Sequence, residues 1–229
     1  MKLASLVSGG KDSLYALYLA KKQGHKIETL ISFESENTES YMFHIPNIRL
    51  VKTISGLVEI PLIRVPTKGI KEKELDDIRS VLEKAKSFGV QGVTTGAIAS
   101  NYQKSRIDKI CSELGLESIA PFWGRSQEEV LREMISAGFV PVIASVGAPP
   151  LDKSWLGRTI DSACISELSE MHEKHGINVM GEGGEYCTLV VDCPLYKSHR
   201  IVIQESEKLW DESSKSGVMK INKISLEEK

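Results

Sequence analysis

The sequence predicts an α/β fold, a doubly wound parallel sheet followed by a smaller C-terminal α+β part. Three observations predict it. Short apolar runs alternate with stretches of helical periodicity from Lys2 to Ala120, the first run passes directly into Ser8-Gly9-Gly10-Lys11-Asp12-Ser13, and the alternation breaks at Pro121-Phe122-Trp123-Gly124. Strands that each feed a helix form parallel sheets covered on both faces, because only a crossover of that length returns the chain to the same edge.

Lys2 to Val7 reads as the first strand, and Leu14, Leu17 and Tyr18 then recur at helical spacing until Gly24. Ile27 to Phe33 is a second strand and Glu34 to Ser40 a loop. Pro46 sits where a helix can start, with Ile48, Val51 and Ile54 behind it, and Leu62 to Val65 is a third strand. Glu72 to Phe88 is an amphipathic helix carrying Leu75, Ile78, Val81, Leu82 and Ala85 on one side, ended by Gly89. Val90 to Thr95, Tyr102 to Leu114 and Ser118 to Ala120 supply a strand, a helix and a short fifth strand. Beyond the break come a helix (Gln127 to Ala137), a strand (Val140 to Val146), a Pro-Pro loop, a helix (Ile160 to His175) and a glycine-rich turn. Strand-like runs at Thr188 to Asp192, Arg200 to Gln204 and Val218 to Ile224 follow, with a charged tip expected to fray. The division reads as residues 1–124, an α/β domain, and 125–229, a smaller α+β domain.

A chain of 229 residues with 41% hydrophobic and 26% charged residues can bury a full core. Its 29 Lys and Arg against 31 Asp and Glu argue against a general basic field, and so against nucleic acid as partner. Cys111, Cys164, Cys187 and Cys193 include no C-x-x-C pair, which speaks for reduced, mostly buried thiols rather than a zinc or iron–sulfur site. No run is long enough to span a membrane, and a cytoplasmic protein is expected.

The turn after the first strand is the chemically loaded stretch. Gly9 and Gly10 let the backbone bend with its N–H groups inward, and a helix beginning at Lys11 points its positive end at the same place. Lys11 adds a full charge and Ser8 and Ser13 add hydroxyl donors, so phosphate or pyrophosphate suits the site better than a carboxylate. Taken singly, each residue also fits an ordinary strand-to-helix turn. Position 5 is Ser5, which rules out G-x-x-x-x-G-K-[ST], and G-x-G-x-x-G is absent. Ligands of such sheets sit beyond the carboxyl ends of the strands, which brings Ser8, Ser32, Phe33 and Gly96 around one crevice. A second constellation, Gly181-Glu182-Gly183-Gly184-Glu185-Tyr186, joins two carboxylates and an aromatic to three glycines. Paired carboxylates suit a cation, a metal or proton transfer, while a solvated turn is the plainer alternative.

S-G-G-K-D-S at this position resembles the PP-loop of the N-type ATP pyrophosphatases, a HUP-like superfamily that splits ATP between the α and β phosphates. Ser40-Tyr41-Met42-Phe43-His44, Gly96-Ala97-Ile98 with Tyr102-Gln103 and Arg106, Pro121 to Trp123, and Gly181 to Thr188 narrow the likeness to the diphthine–ammonia ligase family. Where that family usually continues E-Y-E-T, this chain has Glu185-Tyr186-Cys187-Thr188. The resemblance implies ATP and Mg²⁺ as cofactors, with Ser8, Gly9, Gly10, Lys11, Ser13, Ser32, Phe33 and Gly96 holding the nucleotide. It implies Lys11 and Asp12 as the catalytic pair, Lys11 on the leaving pyrophosphate and Asp12 on the metal or bracing the loop. The substrate implied is the diphthine form of translation elongation factor 2. Tyr41, His44, Tyr102, Glu182, Gly183, Gly184, Glu185 and Tyr186 would contact it, with Tyr186 and the two glutamates caging its trimethylammonium group. No cysteine lies in a G-x-C-x-G turn, so free ammonium, or a separate partner that supplies it, is implied. A tRNA-modifying enzyme of the same superfamily and a non-catalytic ATP sensor are the alternatives, and a homo-oligomer stays open.

Overall fold

The computed structural model describes residues 1–35, 46–68, 70 and 74–229. The chain divides into two compact units, one of Met1–Ser8 with Asp12–Trp123, the other of Gly9–Lys11 with Gly124–Lys229.

In the first unit, β1 (Lys2–Leu6), β2 (Lys26–Ser35), β3 (Leu62–Thr67), β4 (Gly92–Thr94) and β5 (Glu117–Ile119) form one sheet in the order β3-β2-β1-β4-β5, and every pair is parallel. The intervening helices are α1 (Lys11–Lys22), α2 (Val51–Val58) after a short 3₁₀ turn at Ile48–Leu50, α3 (Glu74–Ser87) and α4 (Asn101–Leu114). Strand order reverses at β1, between its neighbours β2 and β4, so the switch point of the sheet lies where Ser8 follows β1 and Gly96 follows β4. Strand alternation decides which side chains go where. Ala4, Ile31, Phe33 and Val93 join Ile78, Val81, Leu82 and Ala85 of α3 and Ile107, Ile110 and Cys111 of α4 in one buried cluster. Leu3, Ser5, Leu30, Ser32 and Thr94 therefore fall on the other face, where right-handed crossovers put α1 and α2. Strand β2 runs two residues past the expected end: Glu34 and Ser35 pair with Pro66 and Thr67, and the Glu34 carboxylate accepts two bonds of 2.6 Å from the Arg64 guanidinium. Helix α4 opens on Ser100, whose hydroxyl accepts from the Gln103 N–H, and closes on Gly115 at φ 64.

The second unit is built on an antiparallel sheet, β7-β6-β9-β8, from β6 (Val140–Val146), β7 (Tyr186–Asp192), β8 (His199–Asp211) and β9 (Ser216–Glu228). Helices α5 (Gln127–Ser136) and α6 (Ser162–His175) bury Val130, Leu131, Met134, Cys164, Ile165 and Leu168. Both start on side-chain caps, Ser126 to the Glu129 N–H and Asp161 to the Cys164 N–H, which is why α6 begins at Ser162 rather than at Ile160. The strands expected at Arg200 to Gln204 and Val218 to Ile224 prove to be one hairpin of two 13-residue strands. Its middle, Gln204 to Leu209, is exposed and polar but for Leu209, so the ladder rests on backbone pairing that leaves no burial pattern to read. The charged tip does not fray: the Lys229 N–H donates to the Ser198 carbonyl and its ammonium to the Cys193 carbonyl at 2.8 Å, beside Asp192.

Candidate active site

Six consecutive residues, Ser8 to Ser13, join β1 to α1. In the first unit the Ser8 N–H donates to the Ser13 hydroxyl at 3.2 Å, and the two hydroxyl oxygens are also 3.2 Å apart. Gly96, at the end of β4, lies against the same turn. A Cβ there would stand 2.6 Å from the Asp12 carbonyl carbon and 2.7 Å from the Ser13 nitrogen, both backbone atoms that cannot swing aside. Only glycine lets β4 and the first turn of α1 come this close. Ser32 is buried on the α1 face of β2, and with Ser5 and Thr94 it is one of three buried hydroxyls in the sheet whose oxygens have no hydrogen-bond partner among the described residues. Leaving such a group unmade costs about 1–3 kcal/mol each, a cost that a bound polar ligand or ordered water can offset. The Phe33 ring is packed in the α3/α4 cluster on the far face of the sheet, so a nucleotide at the strand end would meet Phe33 through its backbone.

Gly9 and Lys11 belong to the second unit and are held there by β7. Gly9, at φ 82, accepts from the Val190 N–H at 3.0 Å through its carbonyl. The Lys11 N–H donates to the Thr188 hydroxyl at 3.1 Å, and its ammonium stands 5.1 Å from the centre of the Tyr186 ring. Tyr186, Thr188 and Val190 alternate along β7, so one strand meets three successive features of the loop. The ammonium also donates to the Met180 carbonyl at 2.6 Å. Lys11 is only 2% exposed, and a carbonyl and an aromatic face together offset part of the cost of burying its charge.

Met180 opens the glycine-rich turn, which is closed on itself. Asn178 Oδ1 accepts from the N–H groups of Met180 (3.0 Å) and Glu182 (3.1 Å), and the Asn178 carbonyl accepts from Gly181 (2.9 Å). The Asn178 N–H donates to Glu185 Oε1 at 2.8 Å, while Glu185 Oε2 is buried with no partner among the described residues. Gly183 makes that fold possible, since a Cβ there would sit 2.7 Å from Glu185 Oε1. Gly184, at φ 90, completes the turn, and Gly147 donates to the Glu185 carbonyl. Tyr186 does not stand open as a cage for a substrate cation. It is 2% exposed, its hydroxyl donates to the Val179 carbonyl at 2.6 Å, and the cation on its ring is Lys11. Tyr102 is likewise occupied, with the Arg106 guanidinium 3.4 Å from its ring centre one turn along α4. Tyr41 and His44 lie outside the described residues.

Sequence reasoning gave no role to Asn178, Met180 or Thr188. An Asn just ahead of a glycine-rich turn is the available signal, because its side chain readily caps the backbone two residues on. Three of the four thiols are held protonated by burial, which pushes Cys111 and Cys164 up to about 11 and Cys193 up to about 12. For Mg²⁺ the donor set fits. Ser8, Asp12 and Ser13 are hard oxygen donors, and Mg²⁺ shared with phosphate needs only one or two carboxylates, so the lack of a three-ligand cluster among the described residues is no obstacle.

Residues 1–118 match the family described as Diphthamide synthase N-terminal domain, and residues 126–226 the Diphthamide synthase C-terminal domain. The chain belongs to the diphthamide synthase family. The mouse diphthine–ammonia ligase is 33% identical over 252 aligned positions, covering all of this chain and 94% of that protein. The human one is 34% identical over 227, covering 90% and 84%, and the fission yeast (Schizosaccharomyces pombe) one 29% over 238, covering 96% of this chain but 39% of its own length. Among solved structures, a predicted subunit of tRNA methyltransferase from Methanocaldococcus jannaschii aligns at a TM-score of 0.46 and 16% identity, over 85% of this chain and 98% of that one. As a diphthamide synthase family member the chain is a carbon–nitrogen ligase of diphthamide biosynthesis, a type of ligase that uses ATP. No helix among the described residues is long and apolar enough to cross a membrane.

Proposed function

We propose that this chain amidates the diphthine carboxylate of translation elongation factor 2 with ammonium, forming AMP and pyrophosphate through an acyl-adenylate. The observation that carries the proposal is the place of Ser8 to Ser13: a two-glycine turn entering a helix at the switch point of a parallel sheet. Such a turn converges N–H groups and a helix dipole on an anion.

Ser8, Gly9, Gly10 and Ser13 would hold the outer phosphates, and Lys11 would balance the charge that builds on the departing pyrophosphate. Asp12 would hold Mg²⁺, and the chemistry that ion would supply is Lewis-acid charge stabilisation. The substrate carboxylate attacks the α-phosphorus and pyrophosphate leaves. Ammonia then attacks the acyl carbon, AMP leaves with the bonding pair, and the ammonia loses a proton to give the amide. The buried hydroxyls of Ser5, Ser32 and Thr94 are candidate contacts for the nucleoside, on the face of the sheet that α1 covers. Residues 125–229 would provide the contacts to the elongation factor, Glu182 and Glu185 among them, with Tyr41, His44 and Tyr102 as further candidates. Free ammonium is favoured over a glutamine-derived source because none of the four cysteines lies in a G-x-C-x-G turn. A cytoplasmic site of action follows from the substrate.

The test is direct. Incubation with ATP, ammonium and diphthine-bearing elongation factor 2 should give equimolar AMP and pyrophosphate with loss of one carboxylate on the factor. ADP as the product, or AMP formed with a tRNA acceptor instead, would remove the proposal.

A further inference from the structure

We infer that the second motif serves the first: Tyr186, Thr188 and the Met180 carbonyl, the last held by Asn178, are positioning residues for Lys11. This deepens the ATP-loop reading and rests on it. Motif by motif, the expected division of labour gave phosphates to Ser8–Ser13 and the second substrate to Gly181–Tyr186. Within the second unit, however, three groups spaced along β7 meet Gly9 and Lys11. The Tyr186 ring is 5.1 Å from the ammonium, the Thr188 hydroxyl takes the Lys11 N–H at 3.1 Å, and the Val190 N–H holds the Gly9 carbonyl at 3.0 Å.

A lysine on four methylenes has a large rotamer entropy, and a binding site that must freeze it loses affinity by that amount. Here the side chain is frozen before any ligand arrives. Its ammonium is fixed by the 2.6 Å bond to the Met180 carbonyl, and that carbonyl is fixed because Asn178 ties down the Met180 and Glu182 N–H groups and the Tyr186 hydroxyl ties down Val179. Thr188 does the same for the backbone at Lys11, where α1 begins. A positioned ammonium meets a phosphate without further ordering, which is what preorganisation contributes to binding.

The test is a double-mutant cycle on ATP affinity, measured by isothermal titration with ATP and Mg²⁺ and no elongation factor present. In the parent, Tyr186→Leu should weaken ATP about tenfold and Thr188→Val about threefold, the scale of one cation–π contact and one hydrogen bond. In a Lys11→Ala background both effects should shrink below about twofold, because residues acting through one group are not additive. Tyr186→Phe keeps the ring but loses the bond to the Val179 carbonyl, and should weaken ATP by no more than about threefold, the scale of one hydrogen bond. Equal losses in both backgrounds would mean a structural role only and overturn the inference, as would a tenfold loss from Tyr186→Phe. If Tyr186→Leu does not fold, Thr188→Val decides the cycle alone. A Lys11→Ala protein that binds ATP as tightly as the parent would overturn the nucleotide reading itself, an outcome visible before any second variant is made.

Discussion

The chain carries two glycine-rich turns, and they use glycine for opposite ends. In the first, Gly9 and Gly10 lead straight into α1 at the carboxyl end of β1, and Gly96 lets the helix start lie against β4. In the second, the glycines from Gly181 to Gly184 let the turn fold inward, so that Asn178 and Glu185 satisfy its own N–H groups. The first turn gives the N–H groups of Ser8 and Lys11 to the hydroxyls of Ser13 and Thr188 but stands at a helix N-terminus, whose dipole favours an anion, whereas the second is closed by its own side chains and is a fixed surface for something else. Here the something else is Lys11 of the first turn. Similar composition therefore does not mean similar task, and the difference lies in whether the turn opens a helix or closes on itself.

Four substitutions sharpen or break that contrast. Lys11→Ala should have the largest effect, a fall in turnover of about a thousandfold, the scale seen when a single donor to developing charge is removed. Steady-state assay of AMP release reads it, and turnover within tenfold of the parent would deny the first turn its catalytic role. Gly96→Ala should come next. The Cβ meets backbone of Asp12 and Ser13 at 2.6–2.7 Å, so α1 must shift, at a cost of about 2–3 kcal/mol. Thermal unfolding should show a drop of about 4–12 °C, with weakened ATP binding alongside it. Asn178→Ala removes the acceptor for two N–H groups and should cost about 1–2 kcal/mol. If the second turn were an open ligand loop rather than a self-capped one, the loss in denaturant midpoint would be negligible. Gly183→Ala should be the mildest, at most about 1 kcal/mol, because the atoms in the way belong to the movable carboxylate of Glu185. Should Gly183→Ala prove as damaging as Gly96→Ala, the two turns would be under the same constraint and the contrast would fail.

The sheet of the first unit was legible because burial on both faces writes short, mainly apolar runs, such as Leu3 to Val7 and Leu30 to Phe33, into the sequence. Gly24 and Gly89 punctuate the helices as expected. The second unit was legible only where it is buried. Its hairpin from His199 to Glu228 was read as two short strands because the exposed stretch of β8 pairs through backbone alone. Within the site, Ser8 to Ser13 announced itself by composition. Phe33 did not reveal its face, since a one-residue change of alternation decides between core and crevice. Tyr186 announced an aromatic with carboxylates nearby, but not which cation it would meet.

By itself the sequence determined the local matters: the phosphate-type turn, the order of strands and helices, the family, and the absence of metal-type cysteine spacing. These are set by neighbours along the chain, whose periodicity, caps and glycines act over a few residues. Only the tertiary structure decided that Tyr186 and Thr188 meet Lys11, 175 and 177 positions away, that Gly96 is a floor for α1, and that Ser5, Ser32 and Thr94 are buried hydroxyls. Pairings at such separation depend on which faces the packed strands present, and nothing in local propensity encodes that choice.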